Sequence, residues 1–329
     1  MNLKEEILRL KKELDVTLVA HFYQRDEVFD LADITGDSLE LARKAKESTS
    51  KYIVFCGVGF MGESVKVLSP EKTVLMPKIA CCAMARMIDE GYFEQNLKQI
   101  NEAGIKNEDI LPITYINSSA AVKAKVGQLG GMVCTSSNAY KIIQKGLESG
   151  KKIFFVPDRC LGQNFAKSLN LKSAVVGDGT NLNEADIICY NGFCSVHQLF
   201  TTEDVEFYRN KYPDILVAVH PECDPAICDM ADFVGSTSQL IEYIKKLPLE
   251  QKVVVGTEYN MVNRLREKNT YILSSTKPEC PTMNETTLED VYKTLKSIED
   301  NTINEETLIK VDDNVRKWAK IALERMLEV

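Results

Sequence analysis

The chain has 329 residues, room for two or three compact units, and its 40 Lys plus Arg against 48 Asp plus Glu give a net charge of −8. That balance argues against an electrostatic nucleic-acid binder, which would be basic, but leaves room for a positive pocket that takes a small anion. Ten cysteines in a chain of this length without an export signal point away from a secreted disulfide scaffold, and toward buried thiols, a metal site or catalysis.

The opening segment MNLKEEILRLKKELDV places Leu3, Ile7, Leu10 and Leu14 at helical spacing with charges between, which predicts an amphipathic surface helix and no signal peptide. No run approaches the roughly 18 apolar residues of a membrane span, so a soluble, cytoplasmic protein is expected. Short β-branched runs then alternate with helical stretches: TLVAHF, YIVFCG, TVLMP, LPITYI, KIFFVP, DILVAV, KVVVG and TYILSS. Such alternation predicts an α/β protein with parallel sheets covered by helices.

The strand ends repeat in kind. The first unit runs LVAHFYQ, GDSLELARKAK, YIVFCG and a Cys pair at 81–82 after TVLMP. The second runs PITYINSS, VCTSSNAYKIIQK, KIFFVPD and reaches Cys194; the third runs ILVAVHPEC, GSTSQLIEYIKK, KVVVGTE and reaches Cys280. Ser38 to Cys82 and Ser236 to Cys280 both span 44 residues, while Ser136 to Cys194 spans 58. We read three α/β units related by internal repetition, over 1–90, 91–204 and 205–300, with a helical extension over 301–329. Leu288, Val291, Leu295 and Ile298 form one helical stripe, and an amphipathic helix around Trp318 closes the chain.

In parallel α/β sheets, ligands gather at the carboxyl ends of strands. His21 and His220 end strands, and His197 follows Cys194 by three. GDS, CTSS and GSTS each open a helix. Ser and Thr are ordinary N-caps there, but a helix N-terminus also presents free N–H groups and partial positive charge to an anion; Ser38, Ser136, Ser236 and Thr237 are the candidates. HPEC at 220–223 sets Glu222 beside His220, where desolvation tends to raise a carboxyl pKa, as general acid–base work requires. Tyr23 and Tyr115 lie at strand ends, where a phenol can donate to an oxyanion. One cysteine from each unit would suit an iron–sulfur cube with one iron free of protein ligands, able to polarise a substrate oxygen. Zinc on three thiolates is an alternative. So are a zinc hydrolase using His220 and Glu222, and a non-catalytic redox sensor, although the chain shows no effector domain.

Taken together, HFYQ at 21–24, GDS at 36–38, ACCAMA at 80–85, TYINSSAAVKA at 114–124, CTSSNA at 134–139, NGFCSVH at 191–197, HPEC at 220–223, GSTSQ at 235–239, GTE at 256–258 and CPTM at 280–283 closely resemble the quinolinate synthase family. The resemblance runs in order from about residue 17 to 285. It implies three pseudo-symmetric three-layer units meeting at a common active site. It also implies condensation of iminoaspartate with dihydroxyacetone phosphate to quinolinate, with loss of phosphate and water, in NAD biosynthesis. By the same resemblance Cys82, Cys194 and Cys280 hold one [4Fe–4S] cluster with an open iron. His21, Ser38, Tyr115, Ile116 (through its backbone), Asn117, Ser136, His220, Pro221, Glu222 and Thr237 bind the reactants, with Ser236 close by. Tyr23, Tyr115, His220 and Glu222 carry the catalytic roles, Glu222 as base. An aspartate oxidase or dehydrogenase would supply iminoaspartate, and the helix ends or a neighbouring Lys would hold the phosphate. The family usually has Gly where this chain has Cys81, and register with the following AMA favours Cys82 as the ligand. The linker KVGQLGG is longer than usual. Cys56, Cys134, Cys160, Cys189, Cys223 and Cys228 match no ligand position and read as structural thiols.

Overall fold

A computed structural model describes residues 2–329. It contains three parallel sheets with one strand order repeated. The first is built from β1 (Val16–His21), β2 (Ile34–Gly36), β3 (Tyr52–Cys56) and β4 (Thr73–Leu75) in the order 2-1-3-4. The second comprises β5 (Ile110–Tyr115), β6 (Met132–Cys134), β7 (Lys152–Val156), β8 (Ser173–Val175) and β9 (Ile187–Cys189) in the order 6-5-7-9-8. The third, β10 (Leu216–Val219), β11 (Phe233–Val234), β12 (Val253–Gly256) and β13 (Thr270–Ile272), runs 11-10-12-13. Strand β9 therefore takes the place of β4 and β13, and β8 is an addition at the sheet edge. That insertion is why the middle unit reaches its cysteine later than the other two.

The repetition extends to side chains. Asp33 Oδ2 accepts from Leu18 N–H and Asp232 Oδ2 from Val217 N–H, both at 2.8 Å, so one carboxylate closes the same crossover in the first and third units. Helices cover both faces, which is why strands such as β5 and β12 are buried at every position and read as continuous apolar runs. Among the described residues no helix is long and apolar enough to cross a membrane.

The chain ends are tied back onto the units. The opening helix, Leu3–Glu13, buries Ile7 and Leu10 against the first sheet and the stripe of the helix Leu288–Glu299. Residues 307–309 then pair with the outer edge of the first sheet: Met76 N–H donates to Thr307 O (2.8 Å) and Ile309 N–H to Val74 O (2.9 Å). An edge that would otherwise offer free backbone groups is thereby covered. The closing helix, Asp313–Leu327, packs on the helix Ala120–Gln128 of the second unit.

That helix pair meets backbone to backbone at Gly127, where an added Cβ would lie 2.1 Å from Trp318 O. Alanine is intrinsically the better helix former by ~1 kcal/mol, but here the clash decides. Gly127→Ala is expected to lose stability by about 1–3 kcal/mol, the usual cost of overpacking. Denaturant midpoints at unchanged slope check it; an unchanged or higher midpoint would mean that the two helices do not approach so closely.

Candidate active site

The carboxyl ends of the three sheets face one cavity. His21, Tyr23, Asp37, Ser38 and Cys82 line it from the first unit; Tyr115, Asn117, Ser136, Cys194 and His197 from the second; His220, Glu222, Thr237, Glu258 and Cys280 from the third. Three residues read from the sequence stand outside this lining. Ile116 is buried beneath it, its N–H donating to Cys134 O (2.8 Å). Pro221 and Ser236 border a neighbouring cavity that shares Ser136. Ser236 is the N-cap of the helix Thr237–Lys246, in a reciprocal box with Gln239.

The three cysteines occupy one position of the repeat. After β3, β7 and β12 the chain turns into a helix, and the first helical or adjoining N–H donates to a carbonyl two residues before a cysteine. Gly59 N–H reaches Ala80 O (2.8 Å), Arg159 N–H reaches Gly192 O (2.9 Å) and Tyr259 N–H reaches Pro278 O (2.9 Å). Counting two onward from each acceptor gives Cys82, Cys194 and Cys280. Cys81 is exposed and outside the cavity. Gly192 is required for this approach, since a Cβ there would sit 2.4 Å from Pro157 O. Burial pushes the Cys82 thiol up to about 12 and raises Cys194 and Cys280 as well. Without a metal these are neutral thiols, and metal binding must release their protons.

The histidines at the ends of β1 and β10 are set alike. Tyr23 N–H donates to His21 Nδ1 (3.1 Å) and Glu222 N–H to His220 Nδ1 (3.3 Å). With Nδ1 accepting, each ring carries its proton on Nε2; that of His220 lies 3.3 Å from Ser136 Oγ. Burial lowers His21 to about 4 and His220 to about 3, so both are neutral donors. Tyr23 and Tyr115 are pushed well up, first by burial and then by the Glu222 charge, and stay protonated.

Glu222 is the hub. Its Oε1 accepts from Tyr115 Oη (2.7 Å), and its Oε2 lies 3.0 Å from His197 Nδ1. The sequence alone suggests a raised carboxyl pKa, and burial does push upward. The imidazoles of His197 and His220 and the Tyr115 hydroxyl outweigh it, so the group sits below the ordinary carboxylate range. Glu222 is an ionised acceptor at neutral pH.

His197, which the sequence sets three residues after Cys194, and several residues that it gave no role support this arrangement. His197, 1% exposed, stacks on His220 at 4.8 Å between centroids and meets Thr257 Oγ1 through Nε2 (3.1 Å). Thr257 Oγ1 also meets Tyr23 Oη (3.1 Å), which is held by Thr237 Oγ1 as well (3.0 Å). Glu258 caps its helix and accepts from Cys280 N–H (3.4 Å), fixing the third cysteine loop. Burial pushes its carboxyl up to about 8, against the pull of the Met261, Cys280 and Asn260 N–H groups.

Asp37, not Ser38, is the N-cap of the helix Ser38–Glu47. Its second oxygen accepts from Ser137 Oγ (2.8 Å) and Ser238 Oγ (2.7 Å), so one carboxylate ties the helix starts of all three units together. Lys123 is wholly buried; its Nζ donates to Ile116 O (2.8 Å) and Ser118 O and clamps the loop that carries Tyr115 and Asn117.

A family model described as Quinolinate synthetase A protein matches residues 5–328. The chain is similar over its full length to a protein named quinolinate synthase from Helicobacter pylori (strain HPAG1), 55% identical and covering 98% of that relative. It is 42% identical to a protein of the same name from Aquifex aeolicus, covering 99% of this chain and 94% of the other. A third, from Acidobacterium capsulatum, is 40% identical over 98% of this chain and 91% of its own length.

Proposed function

We infer from its membership of the quinolinate synthetase A family, to which this chain belongs, that the cavity at the meeting of the three sheets is the site of quinolinate synthesis. The protein is an enzyme of de novo NAD synthesis; its reactants are iminoaspartate and dihydroxyacetone phosphate, condensed with loss of phosphate and water.

The observation that carries the site assignment is the shared register of Cys82, Cys194 and Cys280 on one cavity. Three soft thiol donors, one from each unit, fit a cuboidal [4Fe–4S] cluster with one iron left free of protein ligands. A single ion suits them less well. Among the described residues, the group of three ligating side chains whose donor atoms all lie within 4.8 Å of one another contains only one of these cysteines. When bound, the cluster supplies a Lewis acid that polarises a substrate oxygen.

The protein's own groups supply binding and proton movement. At the starts of the helices Ser38–Glu47 and Thr237–Lys246, Ser38 and Thr237 face the cavity and can meet a carboxylate or phosphate, while the N–H groups of Leu39 and Glu40 are taken by Asp37 and that of Gln239 by Ser236. Ser136, Asn117 and the Nε2–H of His220 complete a polar wall. Tyr23 and Tyr115, neutral phenols, donate to oxygens that gain charge. Glu222 accepts a proton from carbon; the Tyr115 hydroxyl holds its Oε1, and its Oε2 faces His197 Nδ1 at 3.0 Å.

The deciding experiment is anaerobic preparation of the chain with iron and sulfide analysis, a visible spectrum, and a quinolinate assay on the two reactants. A brown, broadly absorbing protein with four irons per chain that forms quinolinate is expected. A colourless, iron-free protein with full turnover would overturn the assignment. The ligand register is checked separately. Cys81→Ser is expected to keep iron and turnover, whereas Cys82→Ser loses both; the reverse result would move the ligand one residue back.

A further inference from the structure

Glu222, Cys194 and His197 offer one sulfur, one nitrogen and one oxygen whose positions all lie within 4.8 Å of one another. We propose that in the cluster-free chain these three side chains form a mononuclear site for a borderline divalent ion such as zinc, and that an ion held there blocks cluster assembly by occupying Cys194. The binding itself does not depend on the proposed function; only the competition rests on Cys194 being a cluster ligand.

The donor set is one that zinc takes readily: a thiolate, an imidazole nitrogen and a carboxylate, with a fourth position open to solvent in the cavity. Cys194 and His197 are three apart, and a turn closed by Gln198 N–H on Cys194 O (3.2 Å) brings both to the same side. Glu222 arrives from the third unit with Oε2 already 3.0 Å from His197 Nδ1. His197 and Glu222 are buried, yet Nδ1 has no hydrogen bond of acceptable geometry. A buried ring nitrogen without such a partner, facing a carboxylate and a thiol, is where an ion would be taken up.

The outer shell is complete as well. Ligating histidines use their second ring nitrogen in a hydrogen bond that fixes ring and tautomer; here Nε2 meets Thr257 Oγ1 at 3.1 Å. When an ion binds at Nδ1, any proton there facing Glu222 leaves and Nε2 donates to Thr257. The carboxylate is oriented in the same way, because Tyr115 Oη holds Oε1 at 2.7 Å and leaves Oε2 free. On binding, the Cys194 thiol gives up its proton to solvent.

The test uses the full chain, prepared anaerobically without its cluster, with zinc and cobalt as probes. X-ray absorption at the zinc edge on the unaltered sequence should show a first shell of one sulfur with nitrogen and oxygen. A cobalt titration should show one ion per chain, with a thiolate-to-cobalt band that Cys194→Ser abolishes. His197→Ala should weaken cobalt binding by more than the roughly 10–100-fold that losing an outer-shell partner costs, while Cys82→Ser and Cys280→Ser leave it unchanged. Zinc-loaded chain should take up little iron and sulfide until a chelator removes the zinc. A shell of two or three sulfurs, equal weakening by Cys82→Ser, absence of binding, or full cluster uptake with zinc retained would each overturn the proposal. The zinc-free Cys194→Ala chain, assayed for iron and sulfide, tests the cluster assignment independently.

Discussion

A Cys194→Ala chain is expected to fold, hold little iron or sulfide, and form no measurable quinolinate. The fold should survive because Cys194 is only partly buried and lines a cavity, so removing its sulfur leaves no new void in a packed core. The cluster should not survive, because two thiols from the first and third units cannot span the corner that the second unit supplies. A control sharpens the reading. Cys160 is equally a cysteine of the second unit, 1% exposed, at the start of the helix Arg159–Ser168 and outside the cavity. Cys160→Ala should keep iron and turnover and lose some stability instead. Iron and sulfide per chain, far-ultraviolet circular dichroism and the quinolinate assay separate the two outcomes. A Cys194→Ala protein without iron but with unaltered turnover would remove the cluster from the reaction.

Strands of four or more residues announced themselves in the sequence, because burial on both faces makes them runs of Val, Ile and Phe, as in β7 and β12. Five strands did not. β2, β6, β8, β9 and β11 are two or three residues long, too short for any period to register, and they are defined by pairing with a neighbouring strand. The helix starts at GDS and GSTS were legible as caps, although the capping side chain of the first is Asp37. The spacing of Ser38–Cys82 and Ser236–Cys280 pointed to the repeat, but the structure makes Ser236 the counterpart of Asp37, both being N-caps, so the equivalent spans differ by one residue; the insertion of β8 explains the longer middle span.

The supporting residues of the site were hidden for a different reason. Val58, Asp158 and Glu258 hold the same turn in the three units yet differ in type, so no motif links them; only the backbone bonds to Ala80, Gly192 and Pro278 reveal the equivalence. His197 could be picked out by its distance of three from Cys194, but its partner Glu222 lies in another unit, and nothing local in the sequence joins them.

That partnership sets the second large effect. Glu222→Gln is expected to keep iron and sulfide at the level of the unaltered chain and to lower turnover by about 10²–10⁴-fold, the range general base catalysis contributes. The amide is close in shape and can still accept from Tyr115 Oη through its oxygen, so the contact between units is retained. What it loses is the negative charge and the ability to take a proton. The loss should fall mainly on kcat, because the polar wall of Ser38, Ser136 and Thr237, which we propose grips the anionic ends of the reactants, is untouched. A drop confined to KM would make Glu222 a binding group. A Gln variant that holds its cluster and turns over normally would pass the proton-transfer role to another group; Tyr23 is the first to examine, since its hydroxyl faces the same cavity through Thr237 and Thr257.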